Sequence, residues 1–235
     1  MMLSGTTLII VALVGPSLFV TTTQAVAWSD TPANIVKKYG GASLQTASRK
    51  PKADLSWTAT WGIDKTAGKI FFAIEAGTTG WVGLGLSEAA AMRGADIMMG
   101  HVDSDGVTHV GDYHAVGNSA PIRDGCQDWS VHHGEEKDGS TLIVVSRLLQ
   151  TQDSNDRPIL LTGLLRNGLM AAFGATDYYT YHGTNKVKFS VNLDTGAAAD
   201  QASWSAAKAA DASLSSFVLR VNEGSVPAAG TPDFP

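Results

Sequence analysis

The alternation of apolar and polar residues between positions 55 and 193 predicts a series of short β-strands. In "LSWTATW", Leu55, Trp57, Ala59 and Trp61 fall on one face, and "KIFFAIEA" follows after the turn signal "DKTAG", so the two runs predict a hairpin. The other strand-like runs are "WVGLGLS", "ADIMMGHV", "VTHVGDYHAV", "WSVHHGEE", "STLIVVSRLL", "RNGLMAAFGA" and "KVKFSVNL". Short strands at this spacing, without alternating helices, indicate an all-β, antiparallel, immunoglobulin-like β-sandwich.

Turn signals and changes in composition divide the rest of the chain. Asp138-Gly139 favours a hairpin turn with positive φ. Only "SEAAAM" (87–92) and "TASRK" (46–50) suggest helix. Residues 28–54 are predicted to be a lead-in segment and residues 55–193 the sandwich. Residues 194–235 are predicted to be an Ala- and Ser-rich linker and tail with one strand-like stretch, Phe217 to Val221.

The N-terminus carries the features of a secretory leader. Residues 1–27 contain no Asp, Glu, Lys or Arg, and the apolar run "TLIIVALVGPSLFV" is too short and too broken by Gly15-Pro16 to span a bilayer well. Ala25 and Ala27 then form an A-x-A cleavage pattern. We therefore predict a signal peptide over 1–27, secretion of the mature chain and no membrane segment after cleavage. Because the basic n-region is missing, an N-terminal anchor is the alternative.

Composition and motifs exclude several classes of function. The chain is 44% hydrophobic and 17% charged, as a globular domain is. A net charge of −5, a pI near 5.6 and the lack of a basic patch argue against a nucleic-acid partner. The sequence has no G-x-S-x-G, H-E-x-x-H, phosphate loop or C-x-x-C, so it predicts no self-contained catalytic site. The single cysteine, Cys126, is predicted to be buried or joined to another chain.

Several residues are candidates for binding chemistry. "DSDG" at Asp103 could begin a calcium loop, but the later ligands are absent, so a hairpin turn is the better interpretation. His101, His109 and His114 lie on neighbouring predicted strands, although their spacing matches no standard metal site.

Met92 and His182 each lie in a predicted loop, and a sandwich clusters its loops at its ends. A thioether and an imidazole are the axial pair of six-coordinate haem iron in electron-transfer cytochromes. A core methionine and a turn histidine are the competing interpretation.

Three long stretches resemble the DOMON domain, the β-sandwich named for dopamine β-monooxygenase. They are "TTGWVGLGLSEAAAMRGADIMMGHVDSDGVTHVGDYHA", "GCQDWSVHHGEEKDGSTLIVVSRLLQTQDSNDRPI" and "MAAFGATDYYTYHGTNKVKFSVNL". The cysteine that is common in the stretch matching "LLQTQD" is absent, which fits an unpaired Cys126. The tail "FVLRVNEGSVPAAGTPDFP" resembles the connection into a copper type II, ascorbate-dependent monooxygenase, but the copper-binding histidine motifs have no counterpart.

The resemblance implies two alternative functions. In the cytochrome branch of the family, haem b is bound between the sheets by a Met and a His, which match Met92 and His182. The candidates to line the haem pocket are then Trp81, Phe72, Leu84 and Phe173, for each of which ordinary packing in the sandwich core is the alternative. Tyr181 would flank the ligand or merely cover the end of the sheet, and the protein would transfer single electrons to a redox partner. In the other branches the domain is free of haem. It would then bind a catechol-like or sugar ligand, or serve as the regulatory domain of a copper monooxygenase.

Overall fold

A computed structural model describes residues 26–42, 44–87, 90–161, 168–196 and 198–199. Within these ranges the helix is α1 (Pro32–Gly40) and the strands are β1 (Thr46–Arg49), β2 (Trp57–Asp64), β3 (Lys69–Ala76), β4 (Val82–Ser87), β5 (Ala95–Val102), β6 (Thr108–Ala115), β7 (Ile122–Arg123), β8 (Ser130–Lys137), β9 (Ser140–Leu148), β10 (Gly168–Phe173), β11 (Lys186–Val191) and β12 (Ala198–Ala199). No helix in these ranges is long and apolar enough to cross a membrane.

The strands form two antiparallel sheets. The five-stranded sheet has the order β1-β2-β3-β9-β8, and the seven-stranded sheet has the order β12-β11-β10-β4-β5-β6-β7. Every pairing between neighbouring strands is antiparallel. The predicted all-β antiparallel sandwich is therefore confirmed.

The main core fills the space between the sheets, as the alternation predicts. Trp57, Ala59 and Trp61 of β2 pack there with alternate residues of β3 and β9, and Leu84 and Met98 reach it from the other sheet. Because side chains of a strand alternate between its two faces, the residues between these positions point outward. The predicted turn at Asp138-Gly139 joins β8 to β9, with φ values of 50° and 75°.

The lead-in segment packs on the five-stranded sheet. Thr31 caps α1 by accepting a hydrogen bond from the amide of Asn34 (3.2 Å), and Pro32 occupies the first turn. Ile35 and Val36 of α1 are buried in a second cluster on the outer face of this sheet. The other buried members of this cluster are Leu44, Phe71, Ala73, Leu142 and Val144. The lead-in segment therefore belongs to the folded body.

Both predictions of helix were wrong. Residues 46–49 form β1 and pair with residues 59–62 of β2, because an unpaired strand edge is available to them. Ser87 ends β4, and residues 90–92 form bends, with φ of 46° at Ala90. Past Leu193, Ala198–Ala199 adds a short strand to the seven-stranded sheet. The strand predicted at Phe217 to Val221 and the leader up to residue 25 lie outside the described residues.

Candidate functional site

Met92 packs on the outer face of the seven-stranded sheet. It lies between β4 and β5, half-buried, against an apolar group that we call the outer cluster. The buried members of the outer cluster are Trp81, Ala95, Ile97, Met99 and Ala115, and its half-buried members are Met92, Tyr113, Met170 and Ala172. Leu84 and Met98 alternate with these positions and point into the main core. Met92 is therefore outside the space between the sheets.

His182 forms part of the connection between β10 and β11. Its carbonyl accepts a hydrogen bond from the amide of Asn185 (2.9 Å), which closes a turn completed by Gly183 at φ 57°. The half-buried ring lies 4.7 Å from the Tyr181 ring, and Nδ1 is 3.1 Å from the Gly183 carbonyl oxygen. Both of these imidazole contacts are therefore with neighbours in the chain.

The strand register separates Met92 from His182. β4 and β10 are antiparallel, with Ser87 opposite Gly168 and Val82 opposite Phe173. Met92 follows the Ser87 end, whereas His182 follows the Phe173 end. Five residue steps of about 3.4 Å place these ends about 17 Å apart. Two axial ligands of one iron lie about 4–5 Å apart, so both loops would have to reach back along the strands to bring these two side chains to one iron.

The predicted pocket walls also fall on different faces. Phe72, Leu84 and Phe173 are buried in the main core. Trp81 belongs to the outer cluster, and Tyr181 is 79% exposed. Alternation sends neighbouring positions such as Trp81 and Val82 to opposite faces of a strand, so these residues are divided between the main core and the outer face. The residues present do not fit a haem b held between the sheets by Met92 and His182.

A ring of aromatic side chains covers the Phe173 end of the outer cluster. The Tyr179 ring makes edge contacts with Trp81 (6.2 Å) and Tyr113 (5.7 Å). Burial, followed by the neighbouring Tyr113, raises the pKa of Tyr179. Tyr178 is 83% exposed, and Tyr181 next to His182 is exposed as well. In residues 178–181, the packed ring of Tyr179 therefore holds the segment against the outer cluster, while Tyr178 and Tyr181 are exposed to solvent.

The three strand histidines do not form a metal site. His101 and His109 stack at 4.9 Å, and His109 Nε2 lies 2.7 Å from a carboxylate oxygen of Asp103. His114 is at the far end of β6, where its Nδ1 contacts Asp124. Asp103 also accepts hydrogen bonds from two amides of its own turn, which confirms the interpretation of "DSDG" as a hairpin turn.

A buried charge cluster lies between the sheets and was not predicted from the sequence. Arg147 of β9 is fully buried and pairs with Asp96 of β5, and its Nη1 lies 3.5 Å from Asp156. Asp112 of β6 lies beside them and accepts a hydrogen bond from the Asp128 amide (3.2 Å). Asp96, Asp112 and Arg147 occupy core-facing positions of alternating strands. A charged residue at a strand position that is predicted to face the core is therefore the sequence signal that could have revealed this cluster.

Burial controls the protonation of this cluster. Desolvation, followed by the charges of Asp96 and Asp156, raises the pKa of Asp112 to about 7. Burial also raises the pKa of Asp96, although Arg147 opposes the shift. Burial is the largest cause of the raised pKa of Asp156. The hydrogen bonds and the positive charge of Arg147 therefore do not fully offset the cost of burying these negative charges.

Cys126 is exposed, so the prediction that it is buried was wrong. It lies in the connection between β7 and β8, and the charge of Asp153 is the largest cause that raises the pKa of its thiol. A raised pKa makes this thiol less reactive than an ordinary one.

Comparison with known proteins identifies the sandwich. The chain is 33% identical over 124 residues to DBH-like monooxygenase protein 1 of Gallus gallus, covering 51% of this chain and 20% of the relative. It is 33% identical over 117 residues to DBH-like monooxygenase protein 2 of Mus musculus, covering 50% and 18% respectively. The chain thus spans about a fifth of the length of these relatives.

A solved structure has the same fold. The cytochrome domain of Myriococcum thermophilum cellobiose dehydrogenase aligns with a TM-score of 0.50 at 13% identity, covering 69% of this chain and 89% of that chain. The family model of the DOMON domain matches residues 54–166, which include strands β2 to β9. Residues 54–166 of this chain are a DOMON domain.

Proposed function

We propose that this chain is a secreted, haem-free DOMON module that serves a copper monooxygenase of the DBH-like type as a non-catalytic domain. The observation that carries the proposal is the placement of Met92 and His182 at opposite ends of the β4–β10 pairing. We infer from that placement that the axial pair on which the electron-transfer alternative depends does not form. The relatives, which are DBH-like monooxygenases, support the remaining alternative.

The exposed tyrosines offer a surface for the catalytic partner. Tyr178 and Tyr181 are among the most exposed large hydrophobic side chains of the described residues. Aromatic side chains are enriched at the centres of protein interfaces, where they bury a large area at low entropic cost. Tyr179 packs on Trp81 beneath them, so we expect this surface to be ordered before a partner binds. We therefore place the contact with the catalytic part at residues 178–181.

Affinity purification of the tagged chain from the secretory fraction of its source organism tests this proposal. We expect copper and ascorbate-dependent hydroxylase activity to co-purify with a chain whose N-terminus is Trp28. Tyr178→Ser with Tyr181→Ser should lower the recovered activity, while Leu148→Ser, an exposed apolar residue on the other sheet, should not. Recovery of the chain without copper or hydroxylase activity would overturn the proposal.

A further inference from the structure

We propose that Asp96, Asp112 and Asp156 form a binding site for a divalent cation, Ca²⁺, beside the guanidinium of Arg147. Asp96 and Asp112 reach the site from β5 and β6 of one sheet, and Arg147 from β9 of the other. Asp156 comes from the segment after β9 and contacts Arg147. The proposal is independent of whether the module serves a monooxygenase.

The distances suit a single ion. One oxygen of each of the three carboxylates lies within 4.8 Å of the others. Ca²⁺ binds oxygen at about 2.3–2.6 Å, so two of its ligands can be as much as about 5 Å apart. The upper limit of this spacing is therefore close to the separation expected for ligands of one Ca²⁺.

The three carboxylates are buried, and some of their oxygens receive no hydrogen bond. Asp96 and Asp112 are each 1% exposed and Asp156 is 9% exposed. Oδ1 of Asp96 and Oδ1 of Asp112 have no hydrogen-bond partner among the described residues. Asp156 has weak partners, Arg147 Nη1 at 3.5 Å and the Thr151 side chain. A buried carboxylate oxygen without a partner is unfavourable, and a cation or a proton at that oxygen removes the cost.

A divalent ion would offset the excess negative charge of the cluster. Three ionised carboxylates face the single positive charge of Arg147, which leaves two negative charges over. The neighbouring basic side chains have other partners: His114 contacts Asp124, and the guanidinium Nε of Arg157 donates to the Gly94 carbonyl oxygen. Asp124 and Asp153 lie near Asp156 and add further negative charge.

The ligand type selects a hard cation. The donors are carboxylate oxygens alone, which suit Ca²⁺ or Mg²⁺ and not the softer metals that prefer His or Cys. Protons are the competing way to neutralise the cluster. An experiment must therefore distinguish an ion from protons.

Calcium titration of the EDTA-treated full chain at pH 7.5, followed by calorimetry and thermal unfolding, makes this distinction. We expect one Ca²⁺ per chain and a rise of several degrees in Tm, because the ion binds only the folded state. Asp112→Asn and Asp156→Asn should each weaken binding by at least about 10-fold. Asp105→Asn, in the exposed turn after β5, is the matched control and should bind as the unchanged chain does.

Terbium luminescence keeps the test decisive if the variants fail to fold. The Trp129 ring lies 5.0 Å from the guanidinium carbon of Arg147, so it is close enough to sensitise Tb³⁺ in the cluster. Tb³⁺ emission should appear on excitation of tryptophan, fall when Ca²⁺ is added, and be lost in Trp129→Phe. Neutralisation by protons would give neither binding heat nor emission. That result, or Asp112→Asn with unchanged affinity, would overturn the proposal.

Discussion

The charged residues between the sheets determine how stable the sandwich can be. Arg147 contacts Asp96 and Asp156, donates from Nη2 to the Arg157 carbonyl oxygen (2.6 Å) and stacks on Trp129. A buried ion pair adds little by comparison with apolar packing, but removal of one partner leaves the other charge without compensation. Arg147 is therefore required mainly because its carboxylate partners are present.

Arg147→Met should lower the free energy of unfolding by about 3–5 kcal/mol, since the buried carboxylates lose the guanidinium beside them. Urea denaturation at pH 7 measures the loss. Arg123→Met, at an exposed position in β7, is the control and should change stability by less than about 0.5 kcal/mol. A loss below about 1 kcal/mol for Arg147→Met would show that the cluster does not depend on this guanidinium.

Glu75 makes stability depend on pH where the lead-in segment meets the sheet. It accepts a hydrogen bond from Trp28 Nε1 (2.7 Å), and burial raises its pKa above 4.5. The folded state then holds the proton more tightly than the unfolded state. The contribution of Glu75 to stability is therefore full at acidic pH and falls as pH rises through its folded pKa.

Glu75→Gln should remove this loss, because an amide oxygen can still accept from Trp28 and carries no charge. The variant should gain stability relative to the unchanged chain at pH 7 and lose that gain near pH 4. Urea midpoints at the two pH values measure the effect. Asp105→Asn should leave the pH dependence unchanged. An equal effect of Glu75→Gln at both pH values would show that the buried charge of Glu75 is not the cause.

At the scale of elements, a close contact between the backbone at residues 80–81 and that at residues 174–176 holds the segment that carries the exposed tyrosines. The backbone around Trp81 exchanges hydrogen bonds with residues 174–176, at 2.9 and 3.0 Å, and the Thr78 hydroxyl donates to the Gly174 carbonyl oxygen at 2.6 Å. A Cβ on Gly80 would lie 2.3 Å from the Thr176 amide nitrogen. Only glycine therefore lets these two segments approach so closely.

Gly80→Ala should destabilise the protein by roughly 1–3 kcal/mol, since the added Cβ pushes the backbone at Gly80 away from that at Thr176. It should also speed proteolytic cleavage within residues 174–182. Gly117→Ala is the control, because a Cβ there meets nothing within 4 Å. Thermal unfolding and limited proteolysis follow the two effects. Equal behaviour of the two variants would mean that this contact does not hold the segment in place.

The strands could be predicted from sequence because local alternation already encodes which face is buried. The β2–β3 hairpin and the Asp138-Gly139 turn are examples. The conformation of residues 46–49 could not, since only pairing with β2 makes this polar segment a strand. The relation of Met92 to His182 was equally hidden, because the direction of β10 relative to β4 depends on sheet order. Asp96 and Asp112 were visible as charged residues at core positions.

On the scale of the whole molecule, the domain matches about a fifth of the length of its DBH-like relatives, which are larger proteins. The DOMON fold alone does not specify chemistry, so function has to be argued from the residues of the site. In this chain the interior is filled by the main core, and the candidate ligands lie outside it at opposite ends. These features support the proposal that the domain is a scaffold that contacts partners.

Addition of haemin to the purified chain, followed by the spectrum of the dithionite-reduced protein, tests the absence of an axial pair most directly. We expect only free or non-specifically bound haem, with no low-spin bands and no difference between the unchanged chain and Met92→Ala or His182→Ala. Stoichiometric low-spin bands that disappear in both variants would contradict this interpretation, because they would require Met92 and His182 to share one iron.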